Sequence, residues 1–128
     1  MSRTPSLSGS TVLVVEDDYY LADDARQALE RAGATVLGPC ASADDALAVL
    51  QEQTPDCAVV DINLGTSRSF DLARTIKGHG IAMLFVTGYD ASAIPPDLAD
   101  IPCLQKPLEP SKLTAAITEL RRGSRDGG

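Results

Sequence analysis

The chain has 128 residues, a net charge of −7, 44% hydrophobic residues and 23% charged residues. This composition is one domain's worth of material with a real core, and it excludes a disordered chain and a nucleic-acid binder, which needs a basic face. The three cysteines, Cys40, Cys57 and Cys103, are odd in number without C-x-x-C spacing, no apolar run can span a bilayer, and the polar start lacks a secretory core, so the expectation is a cytoplasmic protein with reduced thiols, no zinc site and no membrane partner.

In chain order, residues 1–10 are rich in Ser, Thr, Pro and Gly and read as a disordered lead-in to a domain over 11–122; residues 123–128 read as a frayed tail. Thr11 to Val15 is a β-branched run suited to a buried strand. Leu21, Ala25, Ala28, Leu29 and Ala32 then fall on one helical face, with Gly33 as a stop signal. Ala34 to Leu37 reads as a second strand. Ser42 opens a helix with Asp45 three places on, and Ala43, Ala46, Leu47 and Leu50 form its apolar face. Pro55 breaks the chain before a third buried strand, Cys57 to Val60. A helix about Ser69 to Lys77 buries Leu72, Ala73 and Ile76, and Ile81 to Val86 is a fourth strand. Pro95 and Pro96 interrupt the stretch after that strand, so the next helix is expected to be short, distorted or absent. Leu104 and its neighbours make a short fifth strand. A last helix, about Pro110 to Arg122, buries Leu113, Ala116, Ile117 and Leu120, with Pro110 suited to its first position.

Strands alternating with helices, and lacking polar alternation, call for a parallel sheet covered on both faces. A ligand site then lies at the carboxyl ends of the strands. There the sequence places Glu16, Asp17 and Asp18 after strand one, Asp61 after strand three, Thr87 and Gly88 after strand four, and Lys106 and Pro107 after strand five. Mg²⁺ takes oxygen ligands and keeps several waters, so two or three carboxylates and a carbonyl can hold it. A carboxylate can also attack phosphorus, and a phosphoryl group in transfer needs mainly positioning and charge neutralisation. Asp61, Thr87 and Lys106 are the nucleophile, hydroxyl and cation for that chemistry. Asp18 reads as a helix N-terminal acid outside the site. His79, between glycines, reads as exposed, Cys40 as a loop thiol, and Cys57 and Cys103 as small core residues.

Four motifs, each closing an expected strand, carry a family resemblance: VLVVEDD at 12–18, VVDINLG at 59–65, FVTGY at 85–89 and LQKP at 104–107. Over residues 11 to 122 the chain resembles the receiver domain of bacterial response regulators. The resemblance implies a flavodoxin-like doubly wound five-stranded parallel sheet in the order 2-1-3-4-5. It implies phosphorylation on Asp61, with Mg²⁺ bound directly by Asp17 and Asp61, by Glu16 through a water, and by the backbone carbonyl of Asn63. Thr87 would hydrogen-bond the phosphoryl group and Lys106 would pair with it, with a cis Lys106–Pro107 bond. The implied donor is a histidine kinase or histidine phosphotransfer protein. Beyond self-catalysed phosphoryl acceptance and slow loss of phosphate, no enzyme activity is expected, and no DNA-binding domain fits in this length, so output falls to contact with a downstream protein or to passing the phosphate on.

The stretch FVTGY also resembles a subfamily of stand-alone alphaproteobacterial receivers marked by a Phe-x-Thr-Gly motif, in which the fourth helix is reduced. Tyr89 stands one place earlier than the tyrosine of that subfamily, and Leu108 stands where it usually has phenylalanine. Cys103 occupies the position where many receivers have a switch aromatic. The alternatives are a receiver-like docking module that works without phosphate and, less suited, a phosphatase with an aspartyl intermediate, which would need an acid where this chain has Asn63.

Overall fold

The computed structural model describes residues 7–62, 68–88 and 94–127. Its elements run β1 (Thr11–Val15), α1 (Tyr19–Arg31), β2 (Thr35–Cys40), α2 (Ala43–Glu52), β3 (Cys57–Asp61), α3 (Arg68–Gly78), β4 (Ala82–Thr87), a 3₁₀ turn (Pro96–Leu98), β5 (Cys103–Gln105) and α4 (Pro110–Gly127). The strands form one sheet in the order β2-β1-β3-β4-β5, every neighbouring pair parallel. This is the flavodoxin-like doubly wound arrangement expected from the sequence.

The apolar runs explain why both faces are covered. Side chains alternate along a strand, so Leu13, Val15, Ala58, Val60, Met83 and Phe85 point into one core with Ala46, Leu72 and Ile76 of α2 and α3. Val12, Val14, Cys57, Val59, Leu84 and Val86 point into the other with Ala25, Leu29, Leu113 and Ile117 of α1 and α4. A strand buried on both sides cannot show polar alternation, which is why these read as continuous runs.

Four details depart from the sequence reading. The packed domain begins before residue 11: Leu7 is fully buried in the second core, its N–H donates to the Ala32 carbonyl at 2.7 Å, and Ser10 is also buried. A lone leucine in a polar stretch gives no periodic signal, so it escapes pattern reading. The second strand continues past Leu37 through Gly38 and Pro39 to Cys40, with an irregular register between Leu13/Leu37 and Val15/Cys40. Gly38 has φ +93, and a Cβ there would lie 2.6 Å from the Cys40 nitrogen and 3.0 Å from the Val14 oxygen, so only glycine fits this bulge. Pro39 is tolerated because β2 is an edge strand. Cys40 consequently belongs to a strand and is buried, where the sequence suggested a loop. Finally, α4 continues through Gly123 to Gly127 instead of stopping near Arg122. Once a helix is nucleated, each further residue adds a hydrogen bond, and an interior glycine such as Gly123 weakens this without forbidding it.

After β4, the described residues hold only the Pro96–Leu98 turn where another βα unit would place a full helix. Leu98 is fully buried in the first core, and Ile94 and Ile101 pack against it. The turn is fastened to α3 from outside. Arg74 reaches both carboxylate oxygens of Asp97, at 2.8 and 3.3 Å, and Lys77 Nζ donates to the Asp97 carbonyl at 2.8 Å and to Asp100 at 3.1 Å.

Candidate metal and phosphoacceptor site

The register of the parallel sheet brings residues distant in sequence to one edge. Val15 pairs with Val60 and Asp61 with Val86, so Glu16 and Asp61 continue neighbouring strands at the same level. Thr87 pairs with Gln105, and Lys106 comes directly after it. The Lys106 N–H donates to the Thr87 carbonyl at 2.8 Å, which fastens the ends of β4 and β5 together. The Lys106–Pro107 bond is cis, as the resemblance implied.

Carboxylate oxygens of Glu16, Asp17 and Asp61 lie within 4.8 Å of one another. Asp61 is 1% exposed and Glu16 8%, while Asp17 is open to solvent. Lys106 Nζ stands 3.3 Å from Glu16 Oε1 and 3.3 Å from Asp61 Oδ2, so one cation serves both buried acids. Burial would lower the Lys106 pKa, but the charges of Glu16 and Asp61 outweigh it and hold the ammonium above its ordinary value. Glu16 moves the other way. Burial is the main cause, the neighbouring Asp61 adds to it, and the Asp18 N–H and Lys106 offset part, leaving the carboxyl pushed up to about 7.

Among the residues the sequence singled out, the structure brings together Glu16, Asp17, Asp61 and Lys106, with buried Thr87 at the end of the adjacent strand. Asn63 and Tyr89 lie outside the described residues. Asp18 serves as the cap of α1, its Oδ1 accepting from the Tyr20 and Leu21 N–H groups at 2.9 and 3.0 Å. His79 is exposed, with Nδ1 2.8 Å from the Thr75 carbonyl. All three cysteines are free. Gly88, which the sequence also placed at this edge, lies against the Lys106 stem, where a Cβ would be 3.9 Å from Cδ. One feature had no sequence signal: a cavity of about 380 Å³ opens beside the acids between Asp17, Tyr19, Arg26, Pro39 and Ala41, joining segments far apart in sequence.

The donor set suits a small hard cation. Oxygens sharing one Mg²⁺ at about 2.1 Å lie at most about 4.2 Å apart, so the 4.8 Å span closes with small side-chain movements. All three donors are carboxylates, and among the described residues no sulfur or imidazole joins the group. The group could hold a divalent metal, with waters completing its shell.

A doubly wound domain with three acids, a threonine and a lysine on the carboxyl edge of its sheet is of the receiver class. Residues 12–118 match the response regulator receiver domain. The chain belongs to that family and is a receiver domain of two-component signalling. It is 31% identical over 124 residues to the transcriptional regulatory protein GltR of Pseudomonas aeruginosa, covering 91% of this chain and 51% of GltR. It is 25% identical over 119 residues to the sensory transduction protein LytT of Bacillus subtilis, covering 90% and 49%. The chain thus spans about half the length of these curated relatives. A CheY-like response regulator receiver domain from Methanospirillum hungatei superposes with a TM-score of 0.83 at 26% identity, covering 93% of this chain and 98% of that one. The signal receiver domain of a modulated diguanylate cyclase from Desulfovibrio desulfuricans gives the same values. Among the described residues, no helix is long and apolar enough to cross a membrane.

Proposed function

We propose that the chain is a phosphoacceptor switch, phosphorylated on Asp61 with Mg²⁺ held by Asp17, Asp61 and Glu16. The observation that carries this reading is Lys106 placed 3.3 Å from both Asp61 and Glu16, at the edge where three carboxylates converge. Family membership supports a histidine kinase or histidine phosphotransfer protein as donor. In the transfer, an Asp61 oxygen forms a bond to phosphorus while the P–N bond to the donor imidazole breaks, its electron pair staying on nitrogen. Bound Mg²⁺ would supply neutralisation of the phosphoryl oxygens. Lys106 adds a positive charge beside Asp61, and Thr87 offers its hydroxyl. In this reading the Asn63 carbonyl would be a further ligand, with waters filling the rest of the shell. Slow loss of the phosphate is self-catalysed, and the added charge alters the surface offered to a downstream protein.

The test is intact mass after incubation with acetyl phosphate, with and without Mg²⁺. A Mg²⁺-dependent phosphoryl adduct in wild type that is missing in Asp61→Asn is the expected result. Half-buried Cys103, in place of the aromatic of many receivers, favours a second reading, a docking module that works without phosphate. No adduct together with no Mg²⁺ binding would replace the first reading by the second.

A further inference from the structure

The sequence places Asp18 outside the site, as a helix-end acid, and its side chain does cap α1. Its backbone does something else: the Asp18 N–H donates to Glu16 Oε2 at 3.0 Å. An N-cap residue's own N–H is commonly met by a Glu or Gln at the third helical position, reaching back. Here that position is Leu21, which has no acceptor to offer, and the N–H is committed to the buried acid. The Glu16 carboxylate is therefore held at both oxygens, Oε2 by the Asp18 N–H and Oε1 by Lys106 at 3.3 Å. The peptide carrying that N–H is fixed in turn by the cap. Asp18 sits in an extended conformation (φ −82, ψ 117), with Oδ1 bonded to two successive helix N–H groups. The same short loop carries Asp17, another carboxylate of the cluster.

We propose that Asp18 is a positioning residue for the divalent-cation site: by capping α1 it sets the peptide whose N–H orients Glu16. Helix start and cation site are then one unit, and loosening the cap loosens the acid. This rests on the cation reading of Glu16, Asp17 and Asp61 given above. Because the side chain acts through its acceptor oxygen and not its charge, Asn or Ser can replace it and Ala cannot.

The test is calorimetric titration of the full chain with Mg²⁺ at pH 8, alone and in a double-mutant cycle with Glu16→Gln. Asp18→Ala is expected to weaken binding at least fivefold, with Asp18→Asn and Asp18→Ser within about twofold of wild type. In the Glu16→Gln background Asp18→Ala is expected to add nothing, because the acid it positions is gone. Should Asp18→Ala fold poorly, Asp18→Gly removes the acceptor at a position where helix starts accept glycine, and the same loss is expected. The proposal is overturned if Asp18→Ala (or Gly) binds like wild type, if Asn is as weak as Ala, or if the loss persists undiminished without Glu16. If wild type itself binds no Mg²⁺, the cation reading fails first and this inference falls with it.

Discussion

At Glu16 two demands oppose each other. The strand register buries it beside Asp61, which favours the neutral acid, whereas holding a cation needs the carboxylate. Its folded pKa, about 7, lies above the ordinary carboxyl value of 4.5. The folded chain thus binds a proton that the unfolded chain has released over this range. The favourable contribution is complete below about pH 4.5 and is lost as pH rises through about 7. In metal-free buffer at pH 8, Glu16→Gln is therefore expected to stabilise the fold by about 1–3 kcal/mol, and at pH 4.5 to change it little. Urea unfolding of both proteins at the two pH values checks this, and equal effects at both would show that burial of the charge is not what Glu16→Gln relieves. The residues of this site could be picked out in the sequence because a parallel sheet converts "last residue of a strand" into "same edge". Asp61, Thr87 and Lys106 needed only strand ends, not distances. What spacing could not show is which atom faces which, such as Lys106 shared by two acids or the Asp18 N–H on Glu16. Those depend on loop conformations that several sequences of the same pattern could adopt.

The segment after β4 illustrates the same division at the level of elements. Pro95 and Pro96 announce a broken helix, since proline removes a donor and restricts the residue before it. They do not announce the substitute, a single turn that pushes Leu98 into the core and is tied to α3 by Arg74 and Lys77. These two attachments differ in kind. Leu98 is fully buried, so Leu98→Ala leaves a cavity and is expected to cost about 2–4 kcal/mol. The Arg74–Asp97 pair is exposed and screened, so Arg74→Ala is expected to leave global stability nearly unchanged. Its effect should be local and appear at Cys103, which packs half-buried against the same core as Ile94, Ile101 and Leu98. Arg74→Ala should raise the alkylation rate of Cys103 in the native protein several-fold without moving the urea midpoint. Cys40 and Cys57, both buried, serve as internal standards in the same mass spectrum. An unchanged Cys103 rate would show that the Arg74–Asp97 pair does not hold the turn, leaving Leu98 and the Lys77 bonds as its attachments. The strand misread at Gly38–Pro39 has a related origin: the residues that normally end a strand are accommodated by an edge position and a bulge, which only the neighbouring Val14 carbonyl and Cys40 reveal.

Across the whole molecule, the site joins two interior strands. β1 lies between β2 and β3, β3 lies between β1 and β4, and both are buried on two faces. A cation shared by the acids at the ends of β1 and β3 cannot remain bound once those strands part, so its binding is coupled to global unfolding and not merely to order in a loop. Ligand that binds only the folded chain adds RT ln(1 + [L]/Kd), about 2.7 kcal/mol at a hundredfold excess over Kd. For a chain of this length that is a rise in Tm of roughly 10 °C. The proton on Glu16 competes with the cation. One pH unit below its pKa of about 7, most chains hold that proton, and releasing it reduces the gain by about 1 kcal/mol. Mg²⁺ is therefore expected to raise the melting temperature clearly at pH 8 and less at pH 6. In Asp17→Asn, which removes the exposed ligand without disturbing the buried pair, the rise should be small at either pH. Thermal unfolding monitored by circular dichroism over a Mg²⁺ series at the two pH values measures all three. A shift that is equal at both pH values would uncouple Glu16 from the cation, and a shift that survives in Asp17→Asn would place the bound ion away from this edge.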